Sequence, residues 1–313
     1  MAASARTRAG TAVPPGFVLL VAVLAMSWGG PLVRYATAPP LGVAAWRVTF
    51  SALFVSAVAL IRGSPGPRGL SVRDRAAAVV SGIVLAAHFW TWIASLSYTT
   101  VASSVVLVST QPIFVGILSV TMLGERPSGR QWLGIAVAVA GAVVIGRGDF
   151  GGGTEPLLGD LLAVAGAVFV SIYYVIGRRL RQRMDLWSYT AVVYGVAAIA
   201  LLLAAAAHPD VGVLGYPGTD WLVFLALAAG PMMLGHTGVN YALRYVPAYV
   251  ANLALLGEPI GATLLAWWLP GIRERPSFQL LVGGAMVLLG IGLGVRGGRE
   301  APAGRPDAPW SEG

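Results

Sequence analysis

Ser95-Leu96-Ser97-Tyr98, Gln111-Pro112 and Glu125-Arg126-Pro127-Ser128 follow one another in the first half of the chain. Ala242-Leu243-Arg244-Tyr245, Glu258-Pro259 and Glu274-Arg275-Pro276-Ser277 follow in the same order in the second. A proline comes fourteen residues after each tyrosine. The last block slips by two residues inserted around Pro270-Gly271, and beyond it Gly134 and Gly141 match Gly283 and Gly290. One such match would carry little weight. Colinear matches over about 45 residues mark an internal repeat.

The repeat is embedded in apolar sequence. Stretches 9–33, 76–124, 131–146, 161–177, 186–209, 221–243 and 276–295 contain no Asp, Glu, Lys or Arg. Two more, 41–61 and 247–269, are each interrupted by one charge, Arg47 and Glu258. The 76–124 stretch is too long for one membrane-spanning helix and must turn near Tyr98-Thr99-Thr100. The pattern predicts ten helices near 17–36, 41–61, 75–97, 101–123, 130–146, 158–177, 186–207, 219–242, 248–269 and 277–296. Helices of about 20 residues suit a hydrocarbon core of about 30 Å. The composition agrees. Of 313 residues 57% are hydrophobic and 11% charged, against about 25% charged in soluble domains, and the mean hydropathy is +0.75. The expected fold is an all-α integral membrane protein.

Several chemistries drop out. All 21 basic residues are arginine, so no lysine Schiff base or Walker lysine is available. With no cysteine there are no disulfides, thiolate zinc sites, iron–sulfur clusters or cysteine nucleophiles. The histidines at 88, 208 and 236 lack metal-ligand spacing, and no G-x-S-x-G, H-E-x-x-H or P-loop is present. Neither an enzyme nor a metal or cofactor site is expected. The net charge of +8 comes from arginines in short connectors, not from a clustered nucleic-acid footprint.

Those arginines set the orientation. The loops on one side of the expected spans hold sixteen, those on the other side hold Arg147, Arg273 and Arg275, and Arg34 and Arg47 lie in or beside helices. By the positive-inside rule both termini are expected in the cytoplasm, in a multi-pass protein of the cell membrane. Arg6 and Arg8, with Ala36-Thr37-Ala38 beyond the apolar run, resemble a signal peptide and its cleavage site. The following Pro39, the long apolar stretch and nine further spans argue against cleavage.

Five spans per repeat is an odd number, so the second copy enters from the opposite side and the repeats are inverted. Secondary transporters are built this way, with the substrate site at the repeat interface near the midplane. The expected organisation is a tail over 1–16, repeats over 17–147 and 158–296, a Gly-rich linker over 148–157 and a disordered tail over 297–313.

Candidate functional residues are the polar and aromatic ones placed inside spans. Glu258 is the one carboxylate deep in a span, and insertion scales put a buried charge at about 2.5–3.5 kcal/mol. It could couple protons, bind a substrate amine or serve as a structural carboxylate. Arg47 is the one arginine deep in a span, at a similar depth, and could pair with Glu258 or anchor neighbouring helices. Pro112 and Pro259 should kink their helices and free the carbonyls of Val108 and Leu255. His88, Trp92 and Ser95 share one face of the third helix, and His236 and Asn240 one face of the eighth. Trp28, Gln111, Tyr173 and Asn252 are further candidates for a polar, aromatic lining. Each of these could instead only pack. Gly290 and Gly294 in the tenth helix, and Gly134, Ala138 and Gly141 in the fifth, offer small-residue faces for tight helix packing or homodimerisation.

Ser27-Trp28-Gly29, Arg47, the two tyrosine blocks, Pro112, Leu123-Gly124-Glu125 and Glu258-Pro259, taken in order, resemble the drug/metabolite transporter superfamily, specifically its EamA-type family of ten-helix, two-repeat transporters. The resemblance covers about 17–296. It departs at 269–274, where the family's uninterrupted Leu-Gly-Glu is replaced by Leu-Pro-Gly-Ile-Arg-Glu. It implies secondary transport of small metabolites by alternating access, with export of amino acids or related compounds as the leading expectation. Multidrug or cation efflux is a second. The small four-helix multidrug relatives carry a carboxylate in their first helix, and 17–33 has none. A membrane enzyme or scaffold without transport is a third. The partners implied are a small-molecule substrate, the lipid bilayer and protons as a coupling ion, in a monomer or homodimer.

Overall fold

The computed structural model describes residues 13–146, 153–272 and 278–297. The repeat block 274–277, Arg147, Arg273 and Arg275, much of the Gly-rich linker and most of both expected tails lie outside the described residues. Among those described, every regular element is a helix. Eight helices are long and apolar enough to cross a membrane: Pro15–Val33, Pro40–Ile61, Val72–Tyr98, Ser103–Leu123, Pro156–Leu180, Leu186–Ala207, Gly218–Ala242 and Ala248–Trp268. Gly129–Gly146 and Phe278–Gly297 carry shorter apolar stretches and complete ten spans, five in each half.

Local chemistry starts these helices. Pro15, Pro40 and Pro156 lie in first turns, where a missing N–H costs nothing and the fixed φ is already helical. Ser71, Thr100 and Asp185 accept backbone N–H groups of the turns they begin.

The expected kinks at Pro112 and Pro259 are sharper than kinks. The fourth span runs Val101–Val108 and restarts as Gln111–Leu118; the ninth runs Ala248–Leu255 and restarts as Glu258–Trp268. Each join is tightened by an i→i−3 bond, Thr110 N–H to Leu107 O at 3.1 Å and Gly257 N–H to Ala254 O at 3.2 Å. Each proline falls in the first turn of the new segment. A ring that clashes inside a continuous helix is accommodated when the helix begins again around it.

Two further interruptions have no counterpart in the sequence reading. The first span stops at Met26 and resumes at Gly29, four residues after Ser27 comes Pro31, and Pro31 cannot donate to the Ser27 carbonyl. The eighth span is wound as a π-helix over Ala228–His236, with Pro231 inside it.

The short fifth and tenth spans cross through glycine. A Cβ on Gly134 would lie 2.7 Å from the Gly290 carbonyl oxygen, and one on Gly141 2.6 Å from that of Gly283. The two small-residue faces are therefore packed on each other within one chain, which leaves them unavailable for homodimerisation.

The two ends of the bundle are fastened differently. At the arginine-rich end Asp74 takes Arg183 at 2.6 Å and Arg179 at 3.7 Å, and Glu125 takes Arg178 at 2.7 Å. At the other end Thr37 gives both its N–H and its hydroxyl to Asp220, each at 2.9 Å. There Thr99 also bonds Asp160 at 3.0 Å, and Trp46 Nε1 bonds the Val213 carbonyl at 2.8 Å.

Candidate functional site

Spans from both repeats meet around a small central cavity. Arg47 of the second span, His88 and Trp92 of the third, Gln111 of the fourth, His236 of the eighth and Glu258 of the ninth all line it. Met26, Gly29, Val108, Val170 and Pro231 complete the wall. Its volume is about 20 Å³, room for one water.

The breaks supply the positions. Gln111 and Glu258 are the first residues of the restarted segments in the fourth and ninth spans. Glu258 thus sits in a first helical turn, where the helix dipole favours a carboxylate. The hydroxyl of Ser27, itself at the break in the first span, donates to the Val23 carbonyl at 2.9 Å and reaches the Glu258 carbonyl at 3.4 Å. Ser171 donates to the Gln111 carbonyl at 3.2 Å.

Arg47 is 1% exposed. Its guanidinium lies 4.3 Å from the Phe89 ring centroid and 5.7 Å from that of Trp92, so aromatic faces hold the charge. Its Nε and Nη1 have no hydrogen-bond partner. Among the described residues no ion pair joins it to Glu258. Trp92 Nε1 is likewise buried without a partner.

The two histidines are held from behind. His88 Nδ1 is 2.8 Å from the Gly166 carbonyl oxygen. A carbonyl only accepts, so Nδ1 carries the proton and Nε2 of the neutral ring is an acceptor. Its ring stacks on Trp92, centroids 6.2 Å apart and planes 5° apart. His236 Nδ1 is 3.1 Å from the Tyr174 hydroxyl, with the rings stacked at 6.1 Å. The two imidazole centroids are 6.0 Å apart. The site therefore offers unpaired cationic and indole donors, a carboxylate, an imidazole edge and aromatic walls. Among the described residues no group of three His, Cys, Asp or Glu could hold a metal.

Six of the ten candidates meet at the cavity, and four do not. Asn240 and Tyr173 stand one layer behind it. The Asn240 amide donates to the Tyr173 hydroxyl and to the His236 carbonyl, the latter at 2.9 Å. Trp28 is half-buried at the first-span break and is not part of the lining. Asn252 is buried with its amide on the Ala248 carbonyl of its own helix at 2.9 Å. Sequence reasoning missed Tyr174, the direct partner of His236. Tyr173 and Tyr174 are adjacent in an apolar run, and nothing in that run says which of them faces the imidazole. It also missed Gly29, where a Cβ would lie 3.1 Å from the Trp92 ring.

Residues 15–147 and again 157–296 match the EamA-like transporter family. An uncharacterized transporter of Archaeoglobus fulgidus is 22% identical over 88% of this chain and 96% of its own length. The aromatic amino acid exporter YddG of Ancylobacter novellus is 28% identical over 80% of this chain and 87% of its own. A protein of known crystal structure superimposes on 91% of this chain and 97% of its own with a TM-score of 0.73, at 23% sequence identity. That last likeness speaks to the fold alone.

Proposed function

Because the chain belongs to the EamA-like transporter family, we infer that this multi-pass membrane transporter carries an amino acid, held by both of its charged ends, across the cell membrane. The observation that carries the reading is that Arg47, with unpaired donors, and Glu258 line one cavity without pairing with each other. A zwitterion matches that arrangement, carboxylate to Arg47 and ammonium to Glu258. His88, Trp92 and the Tyr174–His236 stack offer an aromatic surround for its side chain. The relative named as an aromatic amino acid exporter supports the same class.

The cavity is too small for such a molecule in this conformation. Loading requires spans to part, as alternating access does. The Arg178–Glu125 contact, with Glu125 also accepting the Ala248 N–H at 3.3 Å, closes the arginine-rich end. The arginine distribution supports a cytoplasmic location for that end and for both termini, and the direction proposed is export. A reporter active only in the cytoplasm should work when fused after Arg68 or Arg181 and fail at Gly212. In proteoliposomes the protein should exchange labelled L-phenylalanine against unlabelled. No exchange of any standard amino acid would refute the substrate class, and a metabolite comparison of deletion and overexpressing cells would then name another.

A further inference from the structure

Asp74 and Asp220 stand in the first turns of the third and eighth spans, and both are buried. From Asp74 to the repeated Tyr98 is 24 residues; from Asp220 to the matching Tyr245 is 25. The preceding elements absorb none of the difference. Pro40–Ile61 and Leu186–Ala207 are both 22 residues long, and the connectors that follow them have equal lengths. The second copy thus holds one extra residue inside its eighth span. The third span is α-helical throughout Val72–Tyr98, and the eighth is π-helical over Ala228–His236.

One extra residue in a helix whose two ends are fixed is taken up as a wide turn. Both ends here are fixed, Asp220 by Thr37 and Asn240 by Tyr173 and Tyr194. The wide turn lies at the cavity, with Pro231 and His236 both in the wall. Pro231 has no N–H to close an α-turn there. Counted back from the tyrosines, His236 occupies the place of Phe89, and the two rings meet at 5.0 Å. One repeat therefore presents a regular helix to the cavity and the other a helix with a spare residue. A wide turn can migrate along a helix, and each residue it passes is turned by about 100°.

We infer that the spare residue in Ala228–His236 positions the mobile wall of the cavity: binding depends on the cavity side chains, turnover on the wide turn. The inference rests on the reading that the central cavity binds the transported molecule. Deleting Gly230 from the full chain gives the eighth span the length of the third while removing neither an anchored end nor a cavity side chain. A Cβ on Gly230 would meet nothing within 4 Å, so no packed side chain is lost with it. In proteoliposomes the deletion should leave L-phenylalanine affinity within about twofold of wild type and lower the exchange rate by about tenfold or more. Exchange at the wild-type rate, or affinity and rate lost together, overturns the inference. Wild type that exchanges no amino acid refutes the proposed substrate and leaves this inference to a measurement that needs no ligand. The chain has no native cysteine, so single thiols can be followed cleanly. Met232 and its repeat counterpart Leu85 are both fully buried. In membranes Met232→Cys should react with a small permeant maleimide while Leu85→Cys stays protected. Equal protection of the two thiols would overturn the inference whether or not the deletion variant folds.

Discussion

Where the fifth and tenth spans meet, the two repeats are interchangeable; around the cavity they are not. Gly134 meets Gly290 and Gly141 meets Gly283. Since Gly134 matches Gly283 and Gly141 matches Gly290 in the repeat, each contact is the other seen from the opposite side of the membrane. At the cavity the matched positions diverge, with Gln111 against Glu258 and Phe89 against His236. Arg47 faces no counterpart, because the matched residue of the seventh span is Val193. A close backbone crossing works only when both helices give up their side chains, so packing keeps the symmetry. A site that binds a molecule with two unlike ends gains from unlike walls.

The largest expected effect is at the symmetric crossing. A Cβ on Gly290 would lie 2.5 Å from the Gly134 carbonyl oxygen and 2.6 Å from backbone and side chain of Ala138. These contacts are largely backbone and cannot rotate away. Gly290→Leu should separate the pair and lower folded yield by about tenfold, since overpacking costs typically 1–3 kcal/mol and more where backbone must move. Gly292→Leu, two residues on with nothing within 4 Å of its Cβ, should express normally. Equal yields of the two variants would mean that the crossing does not hold the repeats together.

Next comes the asymmetry itself. If Glu258 loads and releases a proton, Glu258→Gln should lower pH-gradient-driven accumulation by about tenfold while leaving substrate exchange in place. If it binds the substrate's ammonium instead, both assays should fall. Adding Gln111→Glu moves the carboxylate to the matched position and should restore neither, because Arg47 stands in the second span only. Recovery in the swapped protein would show that the cavity is functionally two-fold after all.

What was legible in the sequence divides along the same line. Nine apolar runs that make ten helices, the repeat and the arginine asymmetry are written in composition and spacing, and the helices follow them closely. Arg47 and Glu258 stood out because charges are scarce in those runs, and His88 and Trp92 because a regular helix puts i and i+4 on one face. Tyr174 did not stand out, and Asn252 was proposed although its amide turns back to its own helix. The wide turn at Ala228–His236 was not legible either. Facing rules assume 3.6 residues per turn, and a π-helix breaks that count within the span that carries His236. The breaks at Pro112 and Pro259 were legible as prolines but read as kinks. The restart of each helix depends on tertiary packing that a single chain of letters does not display.

A smaller effect separates the matched pair Asp74 and Asp220. The first is held by Arg183 and Arg179, whose side chains are 56% and 46% exposed, and the second by the N–H and hydroxyl of Thr37. Ion pairs that reach exposed arginine ends are screened by salt, and hydrogen bonds to a neutral partner are much less so. Asp74→Asn should lower stability through its lost pairs to Arg183 and Arg179, with the loss shrinking as salt rises. Asp220→Asn should cost about 1–3 kcal/mol at any salt concentration. Thermal unfolding in detergent at low and high salt measures both, and a salt-sensitive Asp220 variant would contradict the assignment.

The smallest effect lies at the start of the second helix of each repeat. The seventh span is capped by Asp185, the matched second span by Pro39 with Pro40 in its first turn. Partial burial raises the Asp185 carboxyl. Hydrogen bonds from the Ser188 hydroxyl and N–H, from Ser64 and from the Trp187 N–H outweigh burial and hold it below the usual carboxylate range. A carboxyl depressed in the folded state stabilises the fold above its unfolded pKa, near 3.9, and the contribution is lost as pH falls through the folded value. Asp185→Ala should therefore lower stability by about 1 kcal/mol at neutral pH. The gap to wild type should close on acidification below the ordinary carboxylate range. Pro39→Ala changes no titrating group, so whatever it costs should stay constant over the same pH range. A gap for Asp185→Ala that is flat with pH would mean that the cap works through its shape and not through its charge, and the two ends of the matched helices would then differ in residue but not in mechanism.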